Sequence, residues 1–170
     1  MGDAENWIVK EVRKDYDKLE ATRNGLIQVG WIRNIVEEPL EVQYKKSFRV
    51  QFMLAHIISG SDTIFFGDGS TLDVVPNSLH LSNPYKKMEK VDISPGQHES
   101  YHVIIPPQFY DTLLSFGLVQ PGVFLLPAPK NFDWKARLAI LADELMACKA
   151  HKLPSFVGKL YGEICDVLTL

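Results

Sequence analysis

The 170-residue chain is predicted to be mainly β with helices at its C-terminal end, a small antiparallel barrel or sandwich followed by a helical hairpin. Three observations predict this. Phe48 to Pro84 reads as short apolar runs broken at Ser59-Gly60, at Gly67-Asp68-Gly69 and at Asn83-Pro84, with no helical period between them. Pro106-Pro107 then stops a last strand-like run. Beyond the prolines the apolar spacing changes to steps of three and four.

Taken in order, residues 1–25 are charged but periodic. Ile8, Val12, Tyr16 and Leu19 make one stripe, so a helical arm is expected, closed by a turn at Asn24-Gly25. Leu26 to Ile35 is strand-like and the Glu37-Glu38-Pro39-Leu40 stretch breaks it; a further extended run is expected over Glu41 to Tyr44, ahead of the strand that starts near Phe48. A third strand of the central region covers Ser78 to Leu81. Tyr85 to Gln97 is polar and turns at Ser94-Pro95-Gly96, and His98 to Ile105 is the last strand expected.

Phe109 to Phe116 reads as a short helix ended by Gly117, and Pro121, Pro127 and Pro129 mark an irregular connection. Asp133 is the expected N-cap of a helix whose stripe is Trp134, Leu138, Leu141, Leu145 and Cys148. Leu153-Pro154-Ser155 interrupts it, Ser155 is placed to cap again, and Val157, Leu160, Ile164 and Leu168 form a second stripe. Two helices so closely linked fold as an antiparallel pair. Their stripes fit two uses, packing on the barrel or meeting a partner helix. The last stripe runs apolar to the final residue, which leads us to expect a piece of a longer protein.

Composition narrows the function. Hydrophobic residues make up 46% and the formal net charge is -3, so the chain offers no basic footprint for nucleic acid. There is no apolar run long enough to cross a bilayer, and MGDAENWIVKEVRKDYDK is too charged for a signal peptide, so a cytoplasmic location is expected. Cys148 and Cys165 lack metal or redox spacing and read as buried thiols. No nucleophile elbow, phosphate loop or dinucleotide fingerprint is present.

Five histidines raise the question of metal. A three-histidine barrel site needs a close His-x-His, which the sequence lacks, and His98 and His102 on one strand stand about 13 Å apart. His56, His80 and His102 remain able to converge from neighbouring strands. Binding is the simpler use: a barrel pocket needs apolar walls and a few inward polar groups. On the closing strand His98, Ser100, His102 and Ile104 share one face and Tyr101 and Val103 the other. His80 points away from the side of Leu79 and Leu81; His56 interrupts an apolar strand, and Trp31 offers a flat ring. Each of these also fits as a satisfied core residue or a rim residue.

The order of pieces resembles the N-terminal sensor and dimerisation domain of AraC-type transcription regulators. The segments that carry the likeness are His56-Ile57-Ile58-Ser59-Gly60, Thr63 to Phe66, Asp68-Gly69, Pro76-Asn77-Ser78, Leu79 to Pro84, Tyr101 to Pro106 and the helical pair Asp133 to Leu168. Two departures stand out. Pro76-Asn77-Ser78 replaces a Pro-Gly-Asp turn, and Pro84-Tyr85-Lys86-Lys87-Met88 lacks a histidine found in many members.

The resemblance implies a cupin-like double-stranded β-barrel (jelly roll) over 26–107, an arm over 1–25, a helical dimerisation region over 108–170, and a DNA-binding helix-turn-helix domain beyond residue 170. It also implies a small-molecule effector, a sugar being one class, with Trp31, His56, His80, Ser100 and His102 as ligand-binding residues. A homodimer would form through Leu138, Leu141, Leu145, Leu160 and Ile164. No cofactor, metal or catalytic residue is expected. The rival readings are a small metal-dependent cupin enzyme and a stand-alone small-molecule-binding cupin.

Overall fold

The computed structural model describes residues 17–23, 27–49, 52–122, 124–130 and 134–169. Among these residues, ten strands form two antiparallel sheets. They are β1 (Asp17–Arg23), β2 (Ile27–Val36), β3 (Leu40–Arg49), β4 (Phe52–Ser59), β5 (Asp62–Phe66), β6 (Thr71–Val74), β7 (Ser78–Leu81), β8 (Lys87–Ile93), β9 (Gly96–Ile105) and β10 (Phe124–Pro127). The six-stranded sheet has the order β1-β2-β9-β4-β7-β10 and the four-stranded sheet the order β3-β8-β5-β6. From β2 to β9 the chain alternates between the sheets apart from the β5–β6 hairpin, which is the winding of a jelly roll, so the expected double-stranded β-barrel is present. Ile57 of the larger sheet packs with Ile64, Phe66 and Val74 of the smaller one, so the two sheets face each other.

Among the described residues three helices follow the ninth strand: α1 (Pro107–Ser115), α2 (Trp134–Ala147) and α3 (Leu153–Leu168), with a single turn of 3-10 helix at Ala150–Lys152. Pro107 opens α1, where a missing N–H costs nothing. Gly117, at φ 71°, ends it in the left-handed conformation open to glycine. Ion pairs Arg137–Glu163 at 3.0 Å and Lys159–Glu144 at 2.6 Å fix α2 and α3 as antiparallel. α2 lies across β1, β2 and β9.

The main core lies outside the barrel. Val29, Phe52, Leu54, Leu81, Val103 and Ile105 leave one face of the large sheet and pack against Leu113, Leu138, Leu141, Leu145, Leu160 and Ile164 of the helices. None of these twelve is more than 3% exposed. Leu138, Leu141, Leu145, Leu160 and Ile164 are therefore occupied within the chain, and the expected partner-helix surface gives way to packing on the barrel. A sheet face this apolar has to be covered, and the nearest amphipathic helices cover it.

Other expectations change as well. The helical period of the arm fails where it can be followed, because 17–23 form β1, paired with β2 with Leu19 opposite Trp31. The free edge of a sheet offers a full row of backbone bonds, which a short charged helix cannot match. Ile8, Val12 and Tyr16, the Asn24-Gly25 turn and the Asp133 cap lie outside the described residues. Ser155 does not cap: α3 begins at Leu153 and takes Pro154 into its first turn. Two strands stand where none was expected: β6 between the turns at Asp68-Gly69 and Pro76-Asn77-Ser78, and β8 in the segment read as polar. β10 occupies the proline-rich connection after α1 and pairs with β7, so the helical region contributes a strand to the barrel. Cys148 falls just past α2 and Cys165 within α3; both are half-buried free thiols.

Candidate functional site

The inner face of the large sheet is built by strand parity. If Val29, Leu54 and Val103 face the helices, their neighbours face the small sheet. The register then aligns one row across five strands: Gly30, His102, Ala55, His80 and Leu125. Two of the smallest residues flank His102 and separate it from His80, so the imidazoles rise from a low floor. A second row places Ile32, Ser100, Ile57 and Ser78 side by side.

His80 is 4% exposed and its Nε2 has no hydrogen-bond partner. Burial drives its pKa down to about 4, so the ring is neutral at pH 7. His102 is 3% exposed, and its Nε2 stands 3.2 Å from the amide nitrogen of Gln28. An amide nitrogen donates, so this Nε2 accepts and the proton sits on Nδ1. The serines differ: Ser78 donates to the Val75 carbonyl, whereas Ser100 is half-buried.

Four residues along the same two strands, Asn34 and His98 sit opposite each other on β2 and β9. His98 Nε2 meets the Ser94 carbonyl at 2.7 Å and its Nδ1 lies 3.4 Å from Asp62 Oδ1. The ring rests directly over Gly60, where a Cβ would come within 2.2 Å of Nδ1, and Gly60 itself holds φ +94°. Burial raises the Asp62 pKa while His98 opposes the shift. Burial, with the Asp62 charge second, pushes Tyr44 up to about 12.

Apolar side chains around these groups, Ile32, Met53, Ile57, Ile104 and Val91, are all half-buried, unlike the sealed face behind them. The inner face thus combines accessible apolar wall with a few buried polar groups, the makeup of a small-molecule site.

Of the residues predicted to bind ligand, His80, Ser100 and His102 come together here. His56 and Trp31 do not. His56 stands opposite Leu79 and Tyr101 on the helix-covered face, where burial lowers its pKa. Trp31 lies half-buried against the same core, its ring centroid 6.5 Å from Tyr101 and the Arg33 guanidinium 5.7 Å above it. Both were placed by residue type, which does not report which way a strand is turned. Gln28, Asn34 and Asp62 were missed. A glutamine inside the apolar run LIQVG was the available signal for Gln28; Asp62, beside a glycine turn, carries none.

The residues do not fit a metal of the three-histidine kind. Among the described residues no three His, Cys, Asp or Glu side chains converge. The strand of Ala55 separates His80 from His102 by two interstrand spacings, about 10 Å. Glu99 is turned outward to Arg33 and the Tyr101 hydroxyl. Two open clefts lie on the helical side: about 640 Å³ at the α2–α3 turn beside Lys149 and Lys152, and about 400 Å³ between α1 and α3 beside Phe109 and Tyr161. No described helix is long and apolar enough to cross a membrane.

No known family profile matches the chain, and no curated protein does. Solved structures of similar shape are AraC-like regulators and cupin proteins. The AraC-like transcriptional activator CuxR is 9% identical, with 91% of this chain and 62% of that chain covered at a TM-score of 0.46. Unsaturated fatty acid-bound ToxT from Vibrio cholerae is 13% identical, with 86% and 56% covered at 0.46. A cupin superfamily protein from Desulfitobacterium hafniense is 15% identical, with 55% and 79% covered at 0.39. The chain therefore spans about three fifths of the length of the two regulators.

Proposed function

We propose that this chain is the effector-sensing domain of a bacterial AraC-type transcription regulator, a cytoplasmic binding module with no catalytic step. The observation that carries the reading is His80: a buried, neutral imidazole with an unpartnered nitrogen, standing on an inner face whose apolar walls are half-open. An unpaired buried ring nitrogen is costly whichever tautomer it holds, and a ligand hydroxyl or amide satisfies it. Gln28 and His102 hold each other in place beside it. The regulatory part of the reading rests on the motif order noted in the sequence, with DNA contacted by a domain beyond residue 170. Two copies would pair through the outward side of the helices, where Ile140 and Met146 are 57% and 67% exposed, since the inward stripes are occupied.

Thermal-shift screening of the chain against sugars and small alcohols tests the binding. A stabilising compound should lose affinity by about 1–3 kcal/mol in His80→Ala and keep it in His56→Ala. The opposite pattern would move the site to the helix-covered face. Gene sequence following residue 170 that encodes no helix-turn-helix pair would remove the regulatory part.

A further inference from the structure

We infer that the inner face has a second pole, formed by Asn34, Asp62 and His98, which takes the protonated amine of a ligand that also reaches His80. This rests on the inner face being the effector site, and it narrows the effector class to elongated molecules with an ammonium group at one end and a hydrogen-bonding group at the other.

The geometry is that of an acceptor pair lacking a donor. Asn34 is 9% exposed and its Oδ1 has no hydrogen-bond partner; Asp62 Oδ1, also buried, has none either. The nearest candidate, His98 Nδ1, lies at ion-pair distance, 3.4 Å, without forming a hydrogen bond. The reason is local. His98 Nε2 faces a carbonyl, which only accepts, so Nε2 carries a proton, and the 3.4 Å contact of Nδ1 with Asp62 falls short of a hydrogen bond. Asn34 Oδ1 and Asp62 Oδ1 are thus two buried oxygens that make no hydrogen bond, with the Tyr44 hydroxyl near enough to feel the Asp62 charge.

An ammonium group supplies three N–H donors and the countercharge together. Among the described residues, the inner-face positions of β2, β4, β7 and β9 hold no lysine or arginine, and the charge partner of Asp62 is His98. Spacing sets the length of the guest. His98 and His102 are four residues apart on β9, about 13 Å along the strand, and His80 stands about 10 Å across from His102, so roughly 16 Å of backbone separates the pole from His80. The middle of the ligand meets mostly aliphatic wall, so a carbon chain or ring suits it.

Titration calorimetry on the full chain with aminooctanol, octanediol and octanol tests this. Aminooctanol should bind about tenfold more tightly than octanediol, and Asp62→Asn should erase that advantage while leaving octanediol within about twofold. Asn34→Leu should reduce it, and His80→Leu should weaken both compounds together. Equal affinity for amine and diol in the unmodified chain overturns the second pole, as does a preference that survives Asp62→Asn, or no binding of any of the three. Octanediol binding through His80 with no gain for the amine removes the second pole and leaves the effector reading intact. Octanediol binding indifferent to His80→Leu removes both.

Discussion

The two faces of the six-stranded sheet use similar residues to opposite ends. Toward the helices, Phe52, Leu54, Leu81, Val103 and Ile105 reach 1% exposure or less and join a core that runs through α1, α2 and α3. Toward the small sheet, Met53, Ile57 and Ile104, one residue along on the same strands, stay half-buried among histidines, serines and glutamine. Burial of apolar area is what stabilises a fold, at roughly 25 cal/mol per Å². The helical side therefore holds the larger core, while the barrel interior keeps a smaller one around Ile64, Phe66 and Val74.

The sharpest way to break this contrast is to truncate each face. Leu145→Ala or Leu54→Ala should cost about 2–5 kcal/mol by chemical denaturation, from lost transfer energy plus a cavity. Ile57→Ala should cost no more than about 1 kcal/mol, because a half-exposed side chain leaves a space open to water. Equal costs would mean that the interior is packed as tightly as the helical side.

Acid separates the faces next. Burial holds His80 in the folded chain near pKa 4, below the ordinary 6.5, so as pH falls the unfolded chain takes up the proton first. The stability owed to keeping His80 neutral is complete above pH 6.5 and is lost as pH falls toward 4, by up to about 3 kcal/mol. His80→Leu should flatten this limb, and His56, lowered in the same direction by burial on the other face, should account for what remains. A limb unchanged in His80→Leu would place the sensitivity on the helix-covered side.

Glu99 tests the seam of that side. It is 8% exposed, holds Arg33 through both carboxylate oxygens and accepts the Tyr101 hydroxyl at 2.6 Å. Glu99→Gln should cost about 1–3 kcal/mol. The smallest effect belongs to the outside of the small sheet, where Lys90 bridges exposed Glu41 and half-buried Asp92. Lys90→Met should change stability by less than about 0.5 kcal/mol.

The central turns, the β2, β4, β5, β7 and β9 strands and all three helices were legible, because glycine, proline and period mark them directly. What escaped has physical causes. β8, Lys87–Ile93, sits inside a sheet with one face in water, so Lys87 and Glu89 alternate with Met88 and hide the strand. β10 and β1 add to sheet edges, a pairing that depends on distant strands more than on their own composition. The site was half legible. His80 declared its direction because Leu79 and Leu81 fix the opposite side, whereas His56 sits between Ala55 and Ile57, two apolar residues that gave no such reference.

Leu125 lies beside His80 in the ladder, and β10 is the last strand before the chain enters α2. If the inner face takes a guest as proposed, His80 is a residue there whose ladder neighbour belongs to the strand that leads the chain toward the helical pair.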